Sequence, residues 1–409
     1  MIHRRQFLQS SSLAFLAPSI LMHSSQQVIP ATFNPISIQE RKQRIEKAQS
    51  LLIKNNMRAL VLDAGTSMEY FTGVKWYPSE RSLLAVIPDK GELSFICPAF
   101  EEDRFSEINV ISQQVRTWEE HENPFAMTIQ LLKDLGIRSG KIAVEERTRF
   151  FIFDGLRKAG PTFQLVSGDP ISIPCRMIKS PAEIALMQRA NDITVEAIKA
   201  GIASLKEGMT PSDVSAKIAQ VHRSLGAVHD FALVNIGVAT SFPHGSSKAQ
   251  ILKQGDVVLL DVGCVVGGYS SDITRTIVFG QANDKQRKIW DFEKKSQAAG
   301  FAAAQLGRPC EEVDRASRKV LEDAGFGPGY RLPGLPHRTG HGIGMNGHEW
   351  GNMVKGNKDP LQIGMCFSIE PTIAIPGEFG IRLEDCVYMT ADGPRWFSQP
   401  SPSIDVPFQ

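Results

Sequence analysis

Apolar positions along the chain change period several times, and those changes divide it. After a lead containing Pro30 and Pro35, residues Ile45, Ala48, Leu51 and Leu52 recur at helical spacing and predict a helix from near Ile38. Short apolar runs follow at Ala59–Leu62, Leu83–Ile87, Leu93–Ile96 and residues 141–144, while Pro124–Leu135 returns to a helical pattern. Brief apolar runs alternating with helical segments read as an α/β domain reaching about residue 170. Pro170 and Pro174 predict a linker.

A second domain opens on Ser180-Pro181-Ala182-Glu183. Ser caps, Pro suits the first turn, and Glu can reach back to the cap, which makes a capping box. Ile184, Met187, Ala190, Ile198, Ile202 and Leu205 continue that helix as one stripe, and Thr210-Pro211-Ser212-Asp213 starts another that ends before Gly226. Val257–Val262 reads as a buried strand, Gly267-Gly268 as a turn, and Ser271–Phe279 as the return strand. Two further helices are expected, from Asp284 towards Leu306 and from Cys310 to Ala324, with strand and loop beyond. Helices, hairpin, helices, strands: this order suggests two duplicated halves, although no repeat is visible in the residues themselves.

With 409 residues, 42% of them apolar and 22% charged, the chain is expected to fold as two soluble domains. Lys and Arg total 45 against 44 Asp and Glu, so charge gives no case for nucleic acid or an anionic membrane as partner. Arg4-Arg5-Gln6-Phe7-Leu8 precedes a modest apolar run, Ser11–Met22, which is the layout of a twin-arginine export signal. The run is too short and interrupted for a permanent anchor. Residues 1–30 are therefore expected to be an export signal and the mature protein periplasmic. None of the six Cys falls in a CxxC pair, so zinc-ribbon and thioredoxin readings fail and small buried core residues are expected.

Asp261 is expected to end an apolar strand and Asp272 to lie on its return partner, so a hairpin places two carboxylates together. A buried carboxylate needs a partner, and two of them need a cation. Three of the nine His, namely His337, His341 and His348, fall within twelve residues of a segment carrying Gly340, Gly342 and Gly344. The glycines argue against a helix there, so different roles are expected for His337 and His341. Ser368-Ile369-Glu370-Pro371 sets a carboxylate between an apolar stretch and a Pro, and Arg382 and Glu384, two apart, share a strand face. Four carboxylates and one imidazole make a hard, oxygen-rich donor set suited to Mn, Co, Fe or Zn.

These motifs together resemble the Xaa-Pro peptidases, the group of proline aminopeptidase and prolidase. The resemblance covers roughly residues 176–395, and more weakly the N-terminal domain through Tyr70–Gly73 and Arg81. It implies an α/β (α+β) chain with a smaller creatinase-like α/β domain over 36–172 and a pita-bread catalytic domain over 176–409. It also implies two divalent metal ions, manganese first, with cobalt or zinc as alternatives, and a homodimer. Under it Asp261 binds one metal, Asp272 and Glu384 bridge both, and His341 and Glu370 complete the set. Glu370 is also the general base, His244, His337 and His348 face substrate, and Arg382 supports the site. The implied reaction cleaves the amide bond N-terminal to proline in a di- or oligopeptide. That tertiary amide lacks an N–H and populates a cis form. A related amide hydrolase of a small non-peptide compound, or a binding module without activity, are the competing readings. Trp76 and Tyr77 are expected on a loop lining the site, the chain's own or a neighbouring subunit's. Residues before His341 depart from the bulky pattern of some proline aminopeptidases in reading His337-Arg338-Thr339-Gly340.

Overall fold

A computed structural model describes residues 33–408, so the expected export segment lies outside the described residues. Helix α1 (Ile38–Lys54) begins on Ser37, whose side chain accepts from the Glu40 N–H, and it buries Ile45, Ala48 and Leu52. A six-stranded sheet follows: β1 (Met57–Asp63), β2 (Leu84–Pro88), β3 (Ser94–Pro98), β4 (Val115–Trp118), β5 (Gly140–Val144) and β6 (Phe163–Ser167), in the order β4-β3-β2-β1-β5-β6. The central strands are covered on both faces, which is why they read as unbroken apolar runs. Alternation sends Leu60 and Leu62 to the core shared with α1, and Ala59 and Val61 to the opposite core with Leu132 and Ile142. Between β1 and β2, α2 (Thr66–Thr72) stops at Gly73, whose φ of +81° is the left-handed cap a glycine permits. Three more helices, α3 (Glu102–Ile108), α4 (Pro124–Asp134) and α5 (Phe150–Ala159), complete this part of the domain.

The expected linker at Pro170 and Pro174 is instead a helix, α6 (Asp169–Met177). Pro170 sits in the first turn, where its missing N–H costs nothing. Pro174 gives up one helical hydrogen bond, while Ile171 and Cys175 bury themselves in the core next to α1. The chain crosses to the second domain at Ile178, which bridges to Met365.

There α7 (Pro181–Ala203) and α8 (Pro211–Ser224) both start on the expected capping boxes. They cover a sheet of β7 (Val228–Ile236), β8 (Val257–Val266), β9 (Tyr269–Ser270) and β10 (Ile273–Val278), ordered β10-β8-β7 with β9 on β8. The order then repeats. Helices α9 (Asp284–Ala303) and α10 (Glu311–Asp323) precede β11 (Gly340–Gly342), β12 (Glu349–Met353), β13 (Cys366–Ile369), β14 (Thr372–Ile375), β15 (Phe379–Arg382), β16 (Asp385–Thr390) and β17 (Gly393–Trp396). Five of these strands form a sheet ordered β12-β11-β13-β16-β17, and β14 pairs with β15. The halves meet where Thr274 and Glu384 exchange backbone hydrogen bonds of 3.3 and 3.2 Å.

Two buried polar junctions fasten the domains together. In one, Arg44 of α1 reaches the Tyr269 hydroxyl at 3.1 Å, and that hydroxyl donates to Glu183 of α7 at 2.7 Å. In the other, Arg176 and Lys179 both donate to Glu349, at 2.5 and 2.9 Å, with all three side chains about 1% exposed. All six Cys are buried and unpaired, in keeping with the expectation from their spacing. Among the described residues no helix is long and apolar enough to cross a membrane.

Candidate metal centre

Asp261 lies inside β8 rather than at its end, because the strand runs on to Val266. Register sets Thr274 of β10 opposite it, and Asp272 occupies the two-residue break between β9 and β10. Glu370 stands in the break between β13 and β14, and Glu384 in the break between β15 and β16. His341 is the middle residue of β11. Its glycine neighbours are there for space: a Cβ on Gly340 would lie 1.9 Å from the Ser368 carbonyl oxygen, and one on Gly342 would lie 1.7 Å from that of Trp350. Only glycine lets the flanking strands close in on the histidine.

These elements converge. Ligand atoms of Asp261, Asp272 and Glu384 lie within 4.8 Å of one another, as do those of His341, Glu370 and Glu384, and those of Asp272, His341 and His348. His341 Nε2 is 3.2 Å from Glu370, 3.6 Å from Asp272 and 4.0 Å from Glu384. Its Nδ1 donates to the Gly342 carbonyl at 3.1 Å, which leaves the Nε2 lone pair facing the carboxylates.

Charge makes the same point. Burial, then the neighbouring Glu384, Asp261 and Glu370 charges, push the Asp272 carboxyl well above its ordinary range, and Glu384 is raised in the same way. Asp261 is raised too, by burial, against the opposing pull of Arg382. Burial also works against ionised Glu370, but His341 beside it, with His337 and Arg382, brings it down to about 2. Asp261 Oδ1, Asp272 Oδ1 and Glu384 Oε1 are buried without a hydrogen-bond partner. Four carboxylates around one guanidinium, with three oxygens orphaned, are the donor set that divalent cations fit.

A layer behind fixes the donors. Thr274 Oγ1 donates to Glu384 at 2.6 Å and accepts from Arg382 Nε at 3.1 Å. Arg382 also pairs with Asp261 and donates to the Pro243 carbonyl at 3.2 Å, beside His244. Ser368 Oγ accepts from the His341 N–H at 3.0 Å. The sequence reading missed Thr274 and Ser368. The signal for Thr274 was period two: Asp272, Thr274 and Thr276 share one face of the strand.

The remaining expected residues divide. His348 stands at the mouth, its ring centroid 4.0 Å from that of His341, with its pKa lowered to about 4 by burial and then by His341 and Arg338. His244 is exposed and lines a groove of about 1010 Å³ with Thr210, Asn235 and Gln250. His337 is closed off: Nδ1 bonds the Arg338 carbonyl at 2.7 Å and Nε2 meets Thr372 Oγ1 at 3.0 Å. Arg318 of α10 holds the His337 carbonyl at 2.7 Å. Trp76 does not line the site. It is buried in the N-terminal core against Phe105, because its indole is large and apolar enough to fill that core, while Tyr77 is exposed.

Residues 185–391 match metallopeptidase family M24, and residues 44–178 match the creatinase/prolidase N-terminal domain. The chain belongs to this family of metallopeptidases, in its Xaa-Pro peptidase group, and has the family's pita-bread fold. It is 34% identical to an uncharacterized peptidase of Schizosaccharomyces pombe over 93% of this chain and 88% of that one. An Xaa-Pro dipeptidase of Lactobacillus helveticus is 31% identical over 88% and 98%. The crystal structure of a prolidase from Thermococcus sibiricus superposes with a TM-score of 0.80 at 28% identity, covering 88% of this chain and 97% of that one. The chain is therefore a peptidase of a family that works with divalent metal ions.

Proposed function

We propose that this chain is a dinuclear-metal hydrolase that cuts the amide bond N-terminal to proline in Xaa-Pro peptides, with dipeptides as preferred substrates. One observation carries the reading: Asp261, Asp272 and Glu384 converge, each with a buried oxygen that has no hydrogen-bond partner, and Asp272 and Glu384 reach within 4.0 Å of His341 Nε2. Asp261, Asp272, His341, Glu370 and Glu384 would hold two cations, manganese before cobalt or zinc. Such ions, when bound, polarise a carbonyl and make water acidic enough to attack at neutral pH. The relatives named Xaa-Pro dipeptidase and prolidase support the substrate class.

The chain's own residues supply the rest. Glu370 is ionised and takes a proton from water as the new O–C bond forms. His348 Nδ1 faces the Arg338 guanidinium at 3.4 Å, so the ring proton sits on Nε2, where it is a donor for the developing oxyanion. The C–N bond then breaks, and the proton held by Glu370 passes to the imino nitrogen of proline. His244 meets substrate from the groove wall, His337 braces the strand beside the site, and Arg382 orients Asp261 and opposes the burial that disfavours its charge.

The test is a rate panel of Xaa-Pro dipeptides, longer Xaa-Pro peptides and non-proline controls with manganese, cobalt and zinc, together with metal analysis. About two ions per chain and turnover confined to proline substrates are expected. Stoichiometric metal with cleavage of a non-peptide amide alone would instead support the small-molecule hydrolase. The reading extends to export through the Arg4-Arg5 signal, checked by cell fractionation of an Arg4→Lys, Arg5→Lys variant, and to a homodimer, checked by light scattering.

A further inference from the structure

The groove that His244 lines extends well beyond the histidine. It measures about 1010 Å³ and follows the open edge of β7, between the start of α8 and residues 244–251. Strand register connects it to the metal donors. Leu233 of β7 stands opposite Asp261 of β8, and Asn235 stands opposite Leu259, so Leu233 and Asn235 share the sheet face that carries Asp261. Asn235 lies about 7 Å further along the strand than Leu233. Gly245, at a φ of +80°, crosses this face: a Cβ there would meet Asn235 Oδ1 at 2.8 Å and Leu233 Cδ1 at 3.1 Å. The groove opens off the Asp261 end of the centre.

Its chemistry is one-sided. Asn235 is 1% exposed, and its Nδ2 is buried without a hydrogen-bond acceptor. Such a donor is unfavourable until an acceptor is brought to it. Lys248 is exposed on the groove wall and, among the described residues, has no carboxylate within ion-pair distance. No carboxylate among the described residues lines the groove. Asp213 of α8 is turned back on its own cap, where it accepts from the Thr210 N–H at 2.8 Å. Gln250 is committed as well, its Oε1 accepting from the Ile236 N–H at 2.7 Å. What remains unsatisfied is one donor and one cation, and both call for an anionic acceptor.

The order of the metal donors decides which part of the substrate enters. Asp261 groups with Asp272 and Glu384, whereas Glu370 groups with His341 and Glu384, so Asp261 and Glu370 mark opposite ends. The proline nitrogen takes its proton from Glu370 and lies at that end. The residue before proline lies at the Asp261 end, with its side chain towards the groove. We infer that this groove receives the Xaa side chain and favours an acidic one, read by Asn235 and Lys248. The inference rests on the Xaa-Pro reading above and adds to it the class of Xaa.

The experiment measures kcat/KM on Glu-Pro, Gln-Pro and Leu-Pro at matched metal content. It compares wild type with Lys248→Gln, Lys248→Glu and Asn235→Leu, each after a melting check. Gln-Pro keeps the acceptor and removes the charge, and Leu-Pro removes both. Wild type is expected to favour Glu-Pro over Gln-Pro by about 5–10-fold at low salt, narrowing as salt is added. Lys248→Gln should cut that preference by about 2–5-fold, chiefly through KM, and Lys248→Glu should cut it further. Asn235→Leu should slow Glu-Pro and Gln-Pro by about 10-fold while sparing Leu-Pro. Lys248 is exposed, so its variants test the assignment even where Asn235→Leu fails to fold. Wild type that cleaves Leu-Pro but treats Glu-Pro no better than Gln-Pro overturns the assignment and leaves the Xaa-Pro reading intact, as do variants that slow all three substrates equally. Wild type that cleaves no Xaa-Pro substrate overturns both.

Discussion

Glu349→Gln puts the buried junction beside the site to a quantitative test. The carboxylate accepts from Arg176 at 2.5 Å, from Lys179 at 2.9 Å and from the Asn346 N–H at 3.1 Å. Substituting Gln keeps the shape and leaves two buried cations without their counter-charge, a change that costs about 3–5 kcal/mol. The pKa gives an independent figure. Burial opposes the charge, but Lys179 and Arg176 outweigh it and hold the carboxyl at about 2 against its ordinary 4.5, worth about 3 kcal/mol near neutral pH. For a domain of this size that lowers the melting midpoint by about 6–12 °C. Because the folded pKa is depressed, the stabilisation is complete above the unfolded value near 4.5 and is lost as pH falls towards about 2. Scanning calorimetry of wild type and variant at fixed metal should therefore show a wide gap at neutral pH that narrows in that acid window. A gap of under about 2 °C at pH 7, or one of constant size through the window, refutes the reasoning.

Further outcomes follow from the donors themselves. Thr274→Val should weaken metal binding by about 10–100-fold in a chelator competition while the fold survives, since the threonine orients Glu384 and Arg382; unchanged affinity would remove it from the supporting layer. Asp272→Asn should abolish turnover yet raise the melting midpoint of the metal-free protein near neutral pH by a few degrees. A carboxyl raised in the folded state loses stability for that state as pH climbs from the ordinary carboxyl range through the folded pKa, and Asn removes that loss; a lower metal-free midpoint would contradict it.

The donors were legible in the sequence because each carries a local contradiction. Asp261 is a charge inside an apolar strand, His341 sits among glycines no helix would keep, and Arg382 and Glu384 alternate with Ile381 and Leu383. Both capping boxes were legible for the same reason, since cap chemistry acts within four residues. Interactions joining distant segments were not. Nothing local in Glu349 announces Arg176 and Lys179, some 170 residues earlier, and nothing in Arg44 announces Tyr269. The α6 helix was hidden by Pro170 and Pro174, whose local preference is outweighed by the burial of Ile171 and Cys175. Trp76 was misread because an aromatic on a loop carries no sign of which side it packs.

The unpaired cysteines bear on where such a chain can live. Burial lifts the Cys97, Cys310 and Cys366 thiols to about 12 and Cys175 to about 11, and raises Cys264 and Cys386 as well. Disulfide exchange and peroxide attack both proceed through an accessible thiolate. The folded chain offers none, so its covalent structure is the same under a reducing or an oxidising poise. It could pass, already folded, from one compartment to the other with no need of an isomerase on arrival.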